Sequence, residues 1–133
     1  MLVERSLSSS DHSQFVNITG LVRDAVANSG IQSGVATVFV SHTTAGITIN
    51  ENADPDVTQD MLYILDEKIP WDDPQYRHFE GNTAAHMKAS IMGNSAQVII
   101  EKGQLLLGTW QGIYFCEFDG PRQRKVQIKI ISA

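Results

Sequence analysis

SHTTAGITINENADPDVTQD, residues Ser41 to Asp60, is the stretch around which the rest of the chain is organised. The run before it, Val35-Ala36-Thr37-Val38-Phe39-Val40, is rich in β-branched residues and predicts a buried strand that stops at Ser41 and His42. Ala45 to Asn50 alternates, with Ile47 and Ile49 set against Thr48 and Asn50, and predicts a second strand. Asp54-Pro55-Asp56 then predicts a helix start, with Asp54 as N-cap, Pro55 at the first helical position and Asp56 where the helix dipole favours negative charge. Val57, Met61, Ile64, Leu65 and Ile69 trace one face of that helix as far as Lys68. His42, Thr43, Thr44, Asn50, Glu51, Asn52 and Asp54 stand along this strand-turn-strand-helix unit. A polar group buried without a partner costs roughly 1–3 kcal/mol, so this concentration reads as a site rather than as core.

Upstream, Leu2 to Ser8 and Gln14 to Ile18 read as strands. Thr19 offers an N-cap to a helix whose Leu21, Val22, Ala25 and Val26 recur at helical spacing until Asn28-Ser29-Gly30 stops it. Downstream, Pro70-Trp71-Asp72-Asp73-Pro74 breaks the second helix, and Gln75 to Asn82 has no period and reads as a loop. Asn82 or Thr83 can cap a third helix, Ala84 to Ile91, ended by Gly93-Asn94. Four strands are expected in the last forty residues, at 96–101, 105–108, 112–118 and 122–131. In the last of them Val126, Ile128 and Ile130 alternate with Lys125, Gln127 and Lys129, giving one buried and one wet face.

With 133 residues and 42% apolar content, the chain is read as one domain, 1–133, burying roughly two-thirds of its unfolded surface without a staple. Its single cysteine, Cys116, excludes an intramolecular disulfide and reads as an inert core thiol. Glu4 and Arg5 stand where a signal peptide would carry its apolar segment, and no long apolar run occurs elsewhere, so a cytoplasmic protein with no membrane partner is expected. The net charge of −5 argues against a nucleic-acid partner.

The candidate chemistry lies in the histidines. His12, among Ser and Asp, reads as solvated. His42 ends a buried strand and is as well explained by a structural imidazole as by a functional one. In His78-Phe79-Glu80-Gly81-Asn82-Thr83-Ala84-Ala85-His86 two imidazoles and a carboxylate enter a helix N-terminus, where free N–H groups suit an anion. His42, His78 and His86 are expected to converge, as ligands of a divalent ion or as donors to a phosphate, although no recognised metal motif is present. Glu51 and Asp54 are expected at the margin of this site, with Asp54 also the helix cap and Glu51 otherwise a rim charge. Trp110 and Gln111, between Gly108 and Gly112, line a pocket or, for Trp110, anchor the core.

Three separated motifs, Val38 to Glu51, His78 to Lys88, and Ser95 with Gly103-Gln104 and Gly108-Thr109-Trp110-Gln111, resemble the YjbQ family over nearly the whole chain. Some members carry a histidine at the position of Ala84, a role that does not transfer here. The resemblance implies an α+β fold, two β-sheets packed as a sandwich or pseudobarrel with about three flanking helices, and a homotrimer. An apolar strand set large for one chain also argues for a covering partner. The resemblance further implies a secondary thiamine-phosphate synthase activity, joining a pyrimidine-methyl diphosphate to a thiazole phosphate with release of pyrophosphate. In that reading His42, Glu51, Asp54 and His86 are catalytic, Thr43, Thr44, Asn82, Trp110 and Gln111 bind the phosphorylated substrate, and His42, His78 and His86 hold a metal. The metal is Mg²⁺ for the synthase reaction, with Zn²⁺ possible at the histidines. A metal-dependent phosphate-handling hydrolase and a non-catalytic anion- or metal-binding module are the alternatives.

Overall fold

The computed structural model describes residues 1–133. Its elements run β1 (Leu2–Ser8), β2 (Gln14–Asn17), α1 (Thr19–Ser29), β3 (Ser33–Phe39), β4 (Ala45–Glu51), α2 (Pro55–Lys68), α3 (Thr83–Met92), β5 (Ser95–Glu101), β6 (Gln104–Leu105), β7 (Gln111–Glu117) and β8 (Gln123–Ser132). The α+β architecture expected from the resemblance is the one formed. Two antiparallel sheets, β1-β8-β3-β5-β6 and β2-β7-β4, share one core.

The period of two sorts the strands. Ala36 and Val38 of β3, Val98 and Ile100 of β5, and Val126, Ile128 and Ile130 of β8 face the core from the larger sheet. Ala45 and Ile47 of β4 with Ile113 and Phe115 of β7 face it from the smaller. Val22, Ala25 and Val26 of α1 complete the same cluster. The strand β7 is buried on both faces, because its alternate residues Tyr114 and Cys116 join a second cluster with Ala85 and Ala89 of α3 and Leu62 and Leu65 of α2. Cys116 is fully buried there, and burial pushes its thiol well up from its ordinary value, as an inert core thiol requires.

Two expected caps are replaced by other contacts. Thr19 is the first residue of α1, its hydroxyl donating to Asn17 Oδ1 and accepting from Ile113 N–H, so it ties the helix to β7. Asn82 holds the N-cap position of α3 without capping, because its amide is turned to Asp119. The strand expected at 105–108 is only Gln104–Leu105. Asp54 caps α2 as expected, accepting from Asp56 N–H at 2.9 Å.

Gly46 sets how closely α3 approaches the smaller sheet. A Cβ there would lie 2.7 Å from Gly93 O and 2.9 Å from Met92 Cβ. Gly46→Ala should therefore push the end of α3 off β4, at a cost of roughly 1–3 kcal/mol, read as a lowered midpoint in denaturant unfolding.

Candidate functional site

A polar cleft of about 450 Å³ opens where β4 begins and α3 begins, lined by no hydrophobic side chain. It gathers His42, Thr43, Thr44, His78, Asn82 and His86, all expected, together with Ser41, Glu80, Asp119, Arg122 and Arg124. His42, Thr43 and His86 also line an adjoining hollow of about 550 Å³ with Ala45, Ala89, Ser90, Gly93 and Asn94.

His42 is fixed by the far end of the chain. Its Nε2 accepts the backbone N–H of Lys125 at 2.9 Å, and its ring meets Phe115 edge-on at 6.5 Å between centroids. An imidazole whose Nε2 accepts must carry its proton on Nδ1 when neutral, so His42 is held as a donor. Burial and then the positive charge of Arg124 lower its pKa below 6.5, against an opposite pull from Glu117. Protonation would add a proton to Nε2 and break the bond to Lys125.

The sign of the resulting pH dependence follows from this lowering. Above 6.5, neither folded nor unfolded chain is protonated at this residue. As the pH falls through that value the unfolded chain takes up a proton that folded His42 refuses, so stability falls until the folded value is reached. Unfolding midpoints should decline on acidification below 6.5, and His42→Asn should flatten this limb.

His78 and His86 stand together, their rings edge to face at 5.4 Å between centroids. The turn that presents His78 closes through Gly81 N–H to His78 O at 3.1 Å, with Gly81 at φ 76°, a conformation that suits glycine. His86 lies in the first turn of α3, whose N-terminus carries no side-chain cap, and the N–H groups of Ala85 and His86 turn back to the Asn82 carbonyl.

Beneath these residues lies a buried ion pair invisible in any local motif. Arg124 Nε donates to Glu117 Oε1 at 2.8 Å and Arg124 Nη2 to Glu117 Oε2. Ser9 Oγ and Asp119 N–H also donate to the carboxylate, at 2.7 and 3.0 Å. Arg124 Nη2 reaches Thr44 Oγ1 as well, at 2.9 Å. Burial alone would raise the pKa of Glu117, but the hydrogen bonds and charge of Arg124, with those from Ser9 and Asp119, hold it below the usual carboxylate range. Arg124 and Glu117 are 3% and 0% exposed. The pair joins β7 of one sheet to β8 of the other. A signal was present in the sequence: Arg124 occupies the same parity as Val126, Ile128 and Ile130, and Glu117 the same parity as Ile113 and Phe115.

The remaining expected residues sort by their bonds. Thr43 and Thr44 both line the cleft, and the Thr44 hydroxyl accepts from Arg124 there. Asn82 Nδ2 donates to Asp119 Oδ2 at 2.9 Å, which Arg122 Nη2 also contacts at 3.1 Å, and Asn82 Oδ1 has no protein partner. Glu51, Asp54, Trp110 and Gln111 are not brought to this cleft. The reason is geometric: β4 runs extended from Ala45 to Glu51, which carries Glu51 roughly 20 Å away. There Glu51 Oε2 accepts from Ala53 and Asp54 N–H and shapes the entry to α2. Trp110 is exposed rather than a core anchor, its carbonyl accepting from Asn52 N–H, and Gln111 Oε1 accepts from Gly108 N–H.

A metal bound by the three imidazoles does not fit. Ligation by His42 would need a lone pair on Nδ1, and the tautomer that provides one sets Nε2–H against Lys125 N–H. No group of three or more His, Cys, Asp or Glu side chains is placed to hold a metal ion. Of the cleft's carboxylates, Asp119 is engaged by Asn82 and Arg122, and Glu80 faces His78 at 3.9 Å.

Comparison with known proteins gives a concordant result over the whole chain. The family model described as UPF0047 protein YjbQ-like matches residues 4–133. The UPF0047 protein YugU of Bacillus subtilis is 54% identical over 131 residues, covering 98% of this chain and 99% of its own. A UPF0047 protein of Methanocaldococcus jannaschii is 47% identical over 133 residues, covering 98% and 94%. The crystal structure of a conserved yjbq/upf0047-family protein of Clostridium acetobutylicum superposes with a TM-score of 0.95 at 62% identity, covering 97% of this chain and 99% of that one.

Proposed function

Because the chain belongs to the YjbQ-like UPF0047 family, we propose that its histidine cleft binds a phosphorylated small molecule and acts as a thiamine-phosphate synthase-type transferase. In that reaction the bond from a pyrimidine methylene carbon to a diphosphate oxygen breaks, and pyrophosphate leaves with the electron pair. A bond forms from the same carbon to the ring nitrogen of a thiazole phosphate. The attacking nitrogen carries no proton, so the step needs no general base. It needs donors that meet negative charge growing on the leaving oxygen.

The observation that carries this reading is His42 held as an N–H donor by Lys125. A hydrolase would instead use a group that takes a proton from water, a role His42 in this tautomer does not fill. His42 Nδ1–H and the His86 imidazole provide donors around one polar cleft. Mg²⁺ carried in on the diphosphate would supply charge neutralisation at the leaving group. The protein's part is to orient the phosphates and exclude water.

A homotrimer belongs to the same reading. Phe39, Ile99 and Ile131 are exposed on the outward side of the five-stranded sheet, where no helix covers them, and a neighbouring subunit would do so. No helix is long and apolar enough to cross a membrane, and the proposed site of action is the cytoplasm. The test is direct: with Mg²⁺ and both heterocyclic phosphates, purified protein should form thiamine phosphate slowly and release one pyrophosphate per product. Product absent under these conditions would remove the synthase assignment. Saturable phosphate binding without turnover would then support a binding module.

A further inference from the structure

We propose that Arg124 is the anchor of the cleft's anion, and that with His42 it takes a single phosphoryl group without a divalent ion. This rests on reading the cleft as a phosphoryl site and names the residues that would hold the group. Arg124 is 3% exposed, yet it lines the cleft. Its Nε and Nη2 are consumed by Glu117 and Thr44, whereas Nη1 makes no hydrogen bond within the protein. One edge of the guanidinium is therefore locked in the core and the remaining amino group is left to the cleft.

Such a donor is preorganised. A surface arginine loses side-chain freedom when it closes on an anion, but here Glu117 and Thr44 have already fixed the fork. A neighbouring peptide performs the same service for the second donor, since the N–H of Lys125, the next residue, fixes the His42 tautomer. Two adjacent positions of β8 thus build both donors, one through its side chain and one through its backbone. The charges of Arg124 and Arg122 are already countered by Glu117 and Asp119. The cleft therefore offers directed hydrogen bonds rather than a large net positive field, which suits one phosphoryl group. With His42 barred from ligation and Asp119 engaged, the protein supplies no ligand set through which a divalent ion would have to mediate binding.

Isothermal titration of the 133-residue chain with inorganic phosphate, once in chelator and once with Mg²⁺, tests this. Saturable binding with affinities within about twofold in the two buffers is expected. Arg124→Lys should weaken it about tenfold to a hundredfold, because an ammonium cannot hold the fork to Glu117 and still present a donor. The double variant Arg124→Met/Glu117→Leu removes both charges together, so the core is left with no unpaired ion, and circular dichroism reports whether it is folded. Folded double variant that no longer binds phosphate, while His12→Ala binds as the wild type does, would confirm the anchor. Binding that appears only with Mg²⁺, or that survives in the folded double variant, would overturn it. If phosphate binds as described but no thiamine phosphate forms, the anchor stands and the transferase reading falls.

Discussion

Glu117→Ala should be among the most destabilising single substitutions in this protein, lowering the unfolding free energy by about 3–5 kcal/mol. The carboxylate accepts from Ser9, Asp119 N–H and two nitrogens of Arg124, and it is fully buried. Removing it leaves a guanidinium in the interior with only Thr44 as partner, and a buried charge without its counterion costs far more than the pair contributed. Urea unfolding of Glu117→Ala should show the midpoint lowered by this amount or the chain unfolded in buffer. The double variant Arg124→Met/Glu117→Leu should regain most of the loss, since apolar side chains need no counterion. If the single variant is as stable as the wild type, the interior cannot be as dry as this geometry requires. The lowered pKa of Glu117 adds a pH signature: its stabilisation is present above the ordinary value of 4.5 and is lost as the pH falls through the folded value.

Under the proposed transferase reading, His86→Ala should reduce thiamine-phosphate formation by about a hundredfold to a thousandfold, the usual effect of deleting one donor to a developing oxyanion. His86 stands in the first turn of α3, lines the cleft and packs against His78. His12 is the internal control. Its ring does not line the cleft and stands edge-on to Trp71 at 4.3 Å between centroids, so His12→Ala should leave turnover unchanged. A structural role for His86 predicts a different pattern, in which activity and unfolding midpoint fall together while the folded fraction keeps full turnover. Equal rates for His86→Ala, His12→Ala and the wild type would end the catalytic assignment.

Much of this arrangement is legible without coordinates because it depends on neighbours in the chain. The alternation of Val126, Ile128 and Ile130 fixes which face of β8 is buried, and Asp54-Pro55 places the start of α2, since both follow from short-range geometry. The gathering of His78 and His86 at one helix start is likewise local. Caps were less legible. Thr19 and Asn82 have the right side chains, but Ile113 and Asp119, distant in sequence, compete for them and win.

The sequence by itself determined the order of the elements, the inward face of most strands and the cluster of imidazoles near residues 42 and 78–86. Only the tertiary structure decided which of the polar residues share a site. Glu51 and Asp54 are close to His42 along the chain, yet an extended strand separates them from it, because about 3.3 Å per residue converts a short interval into a long distance. Arg124 and Lys125 are some eighty positions from Thr44 and His42 and bond to them, because β7 and β8 bring the end of the chain back across both sheets. Parity marks Arg124 as facing inward, but the partner that makes burial of its charge tolerable comes from the other sheet. That pairing is a property of how two sheets stack, which no local pattern encodes.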